Sequence, residues 1–305
     1  MNNETKNYPD TKVYYDGSHY IGIPQENFPR GKGCKKQSKT IPTPEQAERK
    51  AKFETAYKES MSLPKRERKK YIAEKLQCEF ETAEQAKEYT EQNIQRKRNN
   101  AARRYTLLWR KIYTQGIWNF FITFTFDSKK HNENSFKETL RNTLKHLVYR
   151  KGWKYIGVWE RSTKNQERLH FHGIFYIPEN GMIGELKAIT DYDTRKHRKQ
   201  TTFQNTHFLE RFGRNDFKEI CKYEIKTTVR YLLKYIEKGG EKLVYGGKLQ
   251  TYIKGNILAE DVLCSYGVDD KKFILADDFT CTDKDGVVLG NASSPEVLAQ
   301  MPKTN

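Results

Sequence analysis

Residues 118–126 read WNFFITFTF, and this stretch decides the fold class. Aromatic and β-branched residues dominate it, as they do in strands buried at the centre of a sheet. A helical pattern follows at 134–149, then a strand at 154–161, a polar turn at 163–166 and a strand at 168–176. The last two strands and their short turn predict an antiparallel hairpin. We therefore expect an α+β core, in which helices pack on a mostly antiparallel sheet.

The composition changes on both sides of this core, which predicts four segments. An irregular segment at 1–43 precedes a basic helical region at 44–116, the core spans 117–255, and an acidic hairpin or tail occupies 256–305. Within the core, residues 178–206 are predicted to be a polar insertion. Further patterns in the core predict a strand within 215–223 and a helix at 225–237.

The charge balance indicates a polyanionic partner, because 56 Lys and Arg residues against 39 Asp and Glu residues give a net charge of +17. Nucleic acid is the leading candidate. The basic runs of the helical region are then either a solvated surface or contacts to the DNA backbone. A membrane surface is the competing partner, but no apolar run approaches the roughly 20 residues of a spanning helix. The first ten residues also lack the apolar core of a signal peptide, so we expect a cytoplasmic protein without a membrane partner.

Two other classes of site are not indicated. The five cysteines are far apart and form no CxxC pair, so neither a zinc ribbon nor a disulfide framework is predicted. No GxxxxGK[ST] phosphate-binding loop is present in the sequence. Any unwinding of duplex DNA would therefore need another protein.

A pair of histidines suggests a metal site. His170 and His172 are two residues apart in a predicted strand, so both side chains should face the same side of the sheet and could share one cation. A carboxylate as third ligand would extend the choice of ion to Mg²⁺ or Mn²⁺. Glu160 closes the preceding strand and is the preferred third ligand, whereas Glu167 lies in the turn with an uncertain orientation. The alternative is that both histidines are ordinary polar residues of a half-exposed strand.

The helix at 229–238 reads VRYLLKYIEK and suggests a nucleophile. At about 100° per residue its apolar residues form one stripe, and Tyr231, Lys234, Tyr235 and Lys238 lie on the other side. A phenol with a pKa of about 10 becomes a useful nucleophile only where cations favour its anion. Lys234 could supply that charge, and a phosphotyrosine would conserve the phosphodiester energy for resealing. The alternative is a pair of surface tyrosines beside solubilising lysines.

These elements together resemble the HUH endonucleases, in particular the two-tyrosine initiators of rolling-circle replication in small single-stranded DNA phages and plasmids. Residues 121–126 are similar to the first strand motif of that family, His170-Phe171-His172 to its metal-binding motif, and residues 231–238 to its YxxKYxxK helix. The resemblance covers about residues 118–240.

The resemblance implies an HUH-type central antiparallel five-stranded sheet flanked by helices, here with a basic helical extension before it. It also implies metal-dependent nicking of single-stranded origin DNA, expected to form a hairpin, with Mg²⁺ or Mn²⁺ held by His170, His172 and Glu160. Tyr231 and Tyr235 would act as alternating nucleophiles, and Lys234 and Lys238 would assist them. The products would be a 5′-phosphotyrosine and a free 3′-hydroxyl that primes DNA polymerase. A helicase and a polymerase of a bacterial host would be the partners.

Two alternatives stay open. A relaxase or a transposase could use the same chemistry, although relaxases carry their tyrosine before the histidine motif and compact transposases are typically shorter. A non-catalytic protein could instead bind single-stranded DNA through aromatic stacking and phosphate contacts.

Overall fold

A computed structural model describes residues 7–25, 42–161, 169–193, 197–239, 243–266 and 272–305. The α-helices are α1 (Pro44–Ser60), α2 (Lys65–Leu76), α3 (Ala83–Gln115), α4 (Glu133–Lys151), α5 (Thr206–Phe212), α6 (Ile225–Gly239) and α7 (Pro295–Gln300). The strands up to the middle of the chain are β1 (Tyr8–Tyr15), β2 (Tyr20–Ile23), β3 (Phe120–Thr125), β4 (Lys154–Arg161), β5 (Leu169–Tyr176), β6 (Leu186–Asp193) and β7 (Arg198–Asn205). The remaining strands are β8 (Asn215–Glu219), β9 (Val244–Gly246), β10 (Tyr252–Ile257), β11 (Val262–Tyr266), β12 (Lys272–Leu275), β13 (Thr280–Thr282), β14 (Val288–Asn291) and β15 (Lys303–Thr304).

A five-stranded antiparallel sheet with the order β8-β3-β5-β4-β9 forms the centre of the predicted core. The expected strand at 118–126 is β3, and the expected hairpin strands are β4 and β5, which pair antiparallel over their whole length. The turn predicted at 163–166 lies outside the described residues. The mixed α and β architecture with an antiparallel sheet is thus confirmed.

Alternation of side chains along the strands gives this sheet two different faces. One face carries large aromatic residues, among them Phe124, Phe171 and Phe175, which are buried with apolar residues of α4 and α5. The other face packs against α6 through Ile156 and Ile174. Both histidines of β5 alternate with Phe171, so they lie on the face that α6 covers.

A second, six-stranded sheet joins the two ends of the chain in the order β11-β12-β2-β1-β10-β15. Tyr8 of β1 pairs with Ile257 of β10, and Phe273 of β12 pairs with Gly22 of β2. The segment predicted as an acidic hairpin or tail therefore contributes strands to a sheet that begins near the amino end. The polar insertion predicted at 178–206 contains a hairpin formed by β6 and β7.

Contacts divide the chain into two compact units, residues 1–26 with 104–305 and residues 27–103. This division follows spatial pairing and differs from the four segments expected from composition, because the strands near both chain ends belong to the first unit. The boundary falls within α3.

The second unit is helical, as the composition of this region predicts. Its small core joins Phe53 and Ala56 of α1 to Ile72 and Leu76 of α2. Thr43 caps α1, since its hydroxyl accepts a hydrogen bond from the backbone N–H of Gln46 while the Gln46 side chain bonds back to Thr43. Among the described residues, no helix combines the length and the apolar character that crossing a bilayer requires.

Candidate active site

The histidine strand holds its two imidazoles on one face. His170 is half-buried and His172 is 6% exposed, and their rings lie 5.7 Å apart between centroids at an interplanar angle of 26°. The intervening residue, Phe171, is buried on the opposite face beside Phe124 and Trp159. The apolar anchor expected for this strand is therefore present, and it fixes the direction in which the imidazoles point.

Two threonines of β3 contact these histidines. Thr123 pairs with His172 and Thr125 with His170 in the strand register, so each threonine shares a face with its partner. The Thr123 hydroxyl is hydrogen-bonded to Nδ1 of His172 at 3.0 Å, and the Thr125 hydroxyl to Nδ1 of His170 at 3.1 Å. A hydrogen bond at one ring nitrogen sets the orientation of the ring and leaves the other nitrogen, Nε2, for a ligand or a proton.

Glu160 reaches the same place from β4. It is directly opposite His170 in the register, yet its carboxylate oxygen Oε2 lies 2.8 Å from Nε2 of His172. The expected proximity of Glu160 to the histidine pair is thus present. Glu167, the alternative carboxylate, lies outside the described residues.

These donors fit a divalent cation in part. Two ligand atoms at right angles, each about 2.1 Å from an ion, are about 3 Å apart, which is close to the separation of Glu160 Oε2 and His172 Nε2. Within the described ranges, however, no group of three or more His, Cys, Asp or Glu side chains has the geometry to hold a metal. The structure therefore brings two candidate donors to ligand spacing, and His170 does not complete a three-donor group with them.

The helix α6 places a tyrosine beside the histidines. Val229 and Leu232 are fully buried and Leu233 nearly so, which confirms the apolar stripe on these residues. Tyr231 is 40% exposed, and its ring centroid lies 6.0 Å from that of His172 in an edge-on arrangement. It also contacts Phe121 of β3, at 5.6 Å between centroids. The phenol ring thus lies at the edge of the histidine face with part of its surface open to solvent.

The lysines and the second tyrosine are only partly placed. Lys234 follows Tyr231 by three residues on α6 and is exposed, so it shares the neighbourhood of the phenol. The backbones of Tyr235 and Lys238 belong to α6, but their side chains lie outside the described part of the structure. The structure therefore brings together Tyr231, His170, His172 and Glu160.

A further acid on this face was missed by the sequence analysis. Asp216 of β8 pairs with Thr123, so it lies in the same cross-strand row as His172. Burial raises the pKa of the Asp216 carboxyl, while Arg214 and Lys218 act in the opposite direction. The alternation of Asp216 with buried Phe217 could have indicated which face it occupies.

Thr123 and Thr125 were also missed as partners of the histidines. Their signal in the sequence is the alternation of two threonines with phenylalanine and isoleucine in FITFTF. That pattern indicates a polar face on an otherwise buried strand. It does not indicate which strand lies beside it.

An ion cluster borders the site at the end of β4. Glu133 of α4 forms salt bridges with Arg161 and with Lys137, the latter at 2.8 Å. These contacts, with the Arg161 hydrogen bond the larger, lower the pKa of Glu133 to about 2. Arg161 is thereby held by a carboxylate other than its chain neighbour Glu160.

Residues 119–240 match the sequence profile of a family described as replication-associated protein ORF2. The match supports a role in DNA replication. It contains β3, both histidines, Glu160 and Tyr231, and it covers less than half of the chain. No curated protein and no solved structure is significantly similar to the chain.

Proposed function

We propose that this protein is a replication initiator of the HUH class, which nicks single-stranded origin DNA in a metal-dependent reaction. The single observation that supports the chemistry best is the contact between the Tyr231 ring and His172 on the face that also carries His170 and Glu160. The similarity of residues 119–240 to a replication-associated family supports the biological role.

In the proposed reaction the Tyr231 hydroxyl oxygen attacks the phosphorus of the scissile phosphodiester. The new bond joins the tyrosine oxygen to the 5′-phosphate, and the bond from phosphorus to the 3′-oxygen breaks. The proton lost by the phenol ends, directly or through water, on the 3′-hydroxyl that leaves. The reverse transfer reseals a strand without an external energy source, because the phosphodiester is conserved in the phosphotyrosine.

The residues of the chain have separate roles in this proposal. Lys234 places a positive charge near the phenol or the phosphate, where negative charge accumulates. Thr123 and Thr125 orient the two imidazoles. The candidate ligands are Glu160, His172 and His170, and a bound Mg²⁺ or Mn²⁺ would polarise the nonbridging oxygens of the phosphate. Tyr235 is the proposed second nucleophile, for a second cut during one covalent cycle.

The experiment that tests the proposal is a search for a covalent adduct. A pool of random-sequence single strands, labelled at the 3′ end, is incubated with the protein and Mn²⁺ and separated on a denaturing gel. Because the tyrosine joins the 5′-phosphate of the downstream piece, a 3′ label should move with the protein and a 5′ label should not. Attachment of the 5′ label instead would contradict the proposed polarity.

Variants of the tyrosines then identify the nucleophile. Tyr231→Phe should abolish the first adduct or leave it only through Tyr235, and the double change of Tyr231 and Tyr235 should remove every adduct. Tyr245→Phe is the matched control, since Tyr245 is exposed to a similar extent on β9 and should leave the adduct unchanged. An adduct that persists in the double variant would refute the nucleophile, and no adduct in the wild type would favour a protein that only binds single strands.

A further inference from the structure

The carboxyl-terminal half of α3 differs from the other helices of its unit in charge. No acidic residue follows Glu91 in this helix, while Arg96, Lys97, Arg98 and Arg103 all lie in the part that belongs to the helical unit. Elsewhere in the unit, cations have acidic partners on neighbouring turns, as in the Lys52–Glu48 and Lys70–Glu74 pairs. Helices that serve only as solvated surface usually mix both signs in this way.

The exposure of this segment is also unusual. From residue 95 to residue 103 every side chain is exposed except that of Lys97, which is half-buried and paired with Glu54 at 2.7 Å. Neither Arg96 nor Arg103 forms an ion pair with any residue that the structure describes. The segment therefore presents positive charge that the described residues do not neutralise.

One side of the segment combines guanidinium and amide groups. At 100° per residue, five exposed side chains fall within an arc of about 100° along three turns. They are Gln92, Arg96, Asn99, Asn100 and Arg103, and we call this set the amide–arginine face. Its length is about 16 Å at a rise of 1.5 Å per residue, which corresponds to about five base pairs of duplex DNA.

The groove beside this face is basic as well. Arg96 and Asn100 line it together with Arg49 and Lys50 of α1. The Arg49 guanidinium lies over the Phe80 ring at 4.6 Å, and its Nε is buried without a hydrogen-bond partner among the described residues. The cations of the groove are thus positioned to contact a polyanion next to the amide–arginine face.

We propose that the amide–arginine face of α3 enters the major groove of duplex DNA. An α-helix with its side chains is about 10–12 Å across, and the major groove of B-DNA is about 12 Å wide. Arginine pairs with the O6 and N7 acceptors of guanine, and asparagine or glutamine pairs with adenine, so the face carries the groups that read base edges. The basic groove would contact the flanking phosphates, which contribute affinity without sequence preference.

The inference extends the proposed function, because an initiator that cuts single strands could first recognise the duplex beside its nick site. It is nevertheless tested without cleavage, by the binding of labelled random-sequence 30-base-pair duplex to the full chain in fluorescence anisotropy. Failure of the nicking proposal would appear as a missing adduct, and failure of this inference as unchanged duplex binding. The two failures are therefore distinguishable.

Removal of two arginines tests the charge of the face. The variant with Arg96→Gln and Arg103→Gln keeps good helix formers and should weaken duplex binding about tenfold or more. The slope of log affinity against log salt concentration should decrease in size by about 1.8, since each lost phosphate contact accounts for about 0.9. Binding of a 30-residue oligothymidine single strand should change by less than about twofold.

A matched control removes the same charge elsewhere in the unit. Lys58 and Lys65 are exposed cations away from the amide–arginine face, and Lys58→Gln with Lys65→Gln should alter duplex affinity by less than about threefold. Equal losses in the two double variants, or equal losses for duplex and single strand, would overturn the proposal. Unchanged duplex binding by the arginine variant would overturn it too.

A second pair of variants separates base reading from charge and covers a loss of folding in the first. Arg96→Lys with Arg103→Lys keeps both charges, so random-sequence duplex binding should persist, while selection from a randomised duplex pool should yield a weaker consensus than the wild type. Asn99→Ala with Asn100→Ala should also weaken the consensus. An identical consensus from the wild type and from both variants would overturn the reading of bases.

Discussion

Replacement of Thr123 by valine should weaken metal activation more than the same replacement of Thr125. Valine has nearly the shape of threonine, so the change removes the hydroxyl without opening a cavity. In each variant the Nδ1 atom of one histidine loses a hydrogen-bond partner, at 3.0 Å for His172 and 3.1 Å for His170. The difference between the variants then depends on whether water can replace the hydroxyl.

Burial gives the expected magnitudes. His172 is only 6% exposed, so little water can reach its Nδ1, and loss of a partner in a buried site costs about 1–3 kcal/mol. Since 1.4 kcal/mol corresponds to a factor of ten, the Mn²⁺ concentration for half-maximal activity should rise about 10–100-fold in Thr123→Val. His170 is half-buried and accessible to water, and Thr125→Val should raise that concentration by less than about fivefold.

The assay is adduct formation on single-stranded DNA over a Mn²⁺ titration, with urea unfolding as a parallel measure of stability. Thr123→Ser retains the hydroxyl and should restore a metal dependence close to that of the wild type. A purely structural role for Thr123 would lower the urea midpoint without moving the metal titration. Equal shifts in the two valine variants, or a serine variant that behaves as valine does, would refute the reasoning.

Three further predictions concern stability and reactivity. Gly157→Ala should lower the free energy of unfolding by about 1–3 kcal/mol in urea titrations, because its Cβ would lie 2.3 Å from Cζ of Phe171; an unchanged midpoint would contradict this packing. The depressed pKa of Glu133 means that its ion pairs stabilise the protein above about pH 4.5 and lose this effect as the pH falls towards 2. Because these groups are about a third exposed or more, the contribution should stay below about 1 kcal/mol, and Glu133→Gln should reduce the acid-induced fall in urea midpoint. Cys281 is buried and its pKa is raised to about 12, so a thiol reagent should modify exposed Cys78 well before Cys281 in peptide mapping, and equal rates would contradict its burial.

The period-two pattern of the strands was sufficient to predict the local structure of the core. It predicted β4 with the observed bounds, and it placed both histidines on one face with Phe171 on the other. The helical pattern likewise predicted the buried side of α6 at Val229 and Leu232. These features depend only on residues close together in the chain, for which side-chain periodicity carries the information.

Contacts between distant segments could not be predicted in this way. The hydrogen bond from Thr123 to His172 depends on the register of β3 against β5, and a slip by one residue would turn Thr123 to the other face of the sheet. The pairing of Tyr8 with Ile257 joins opposite ends of the chain, and neither segment carries a local signal for its partner. The six-stranded sheet therefore appeared only in the structure.

The position of Tyr231 follows from a change of polarity along one face of the central sheet. On β4 this face passes from Ile156 and Val158, both fully buried, to partly exposed Glu160, and on β5 it passes from buried Ile174 to the histidines. The apolar end of the face packs against the stripe of α6, because burial of apolar surface is the main force that holds a helix on a sheet. The polar end cannot bind that stripe without burying carboxylate and imidazole groups, so it stays available to a charged ligand. Tyr231 lies on α6 where these two ends meet, and the same burial that fixes the helix therefore brings the phenol to the histidines.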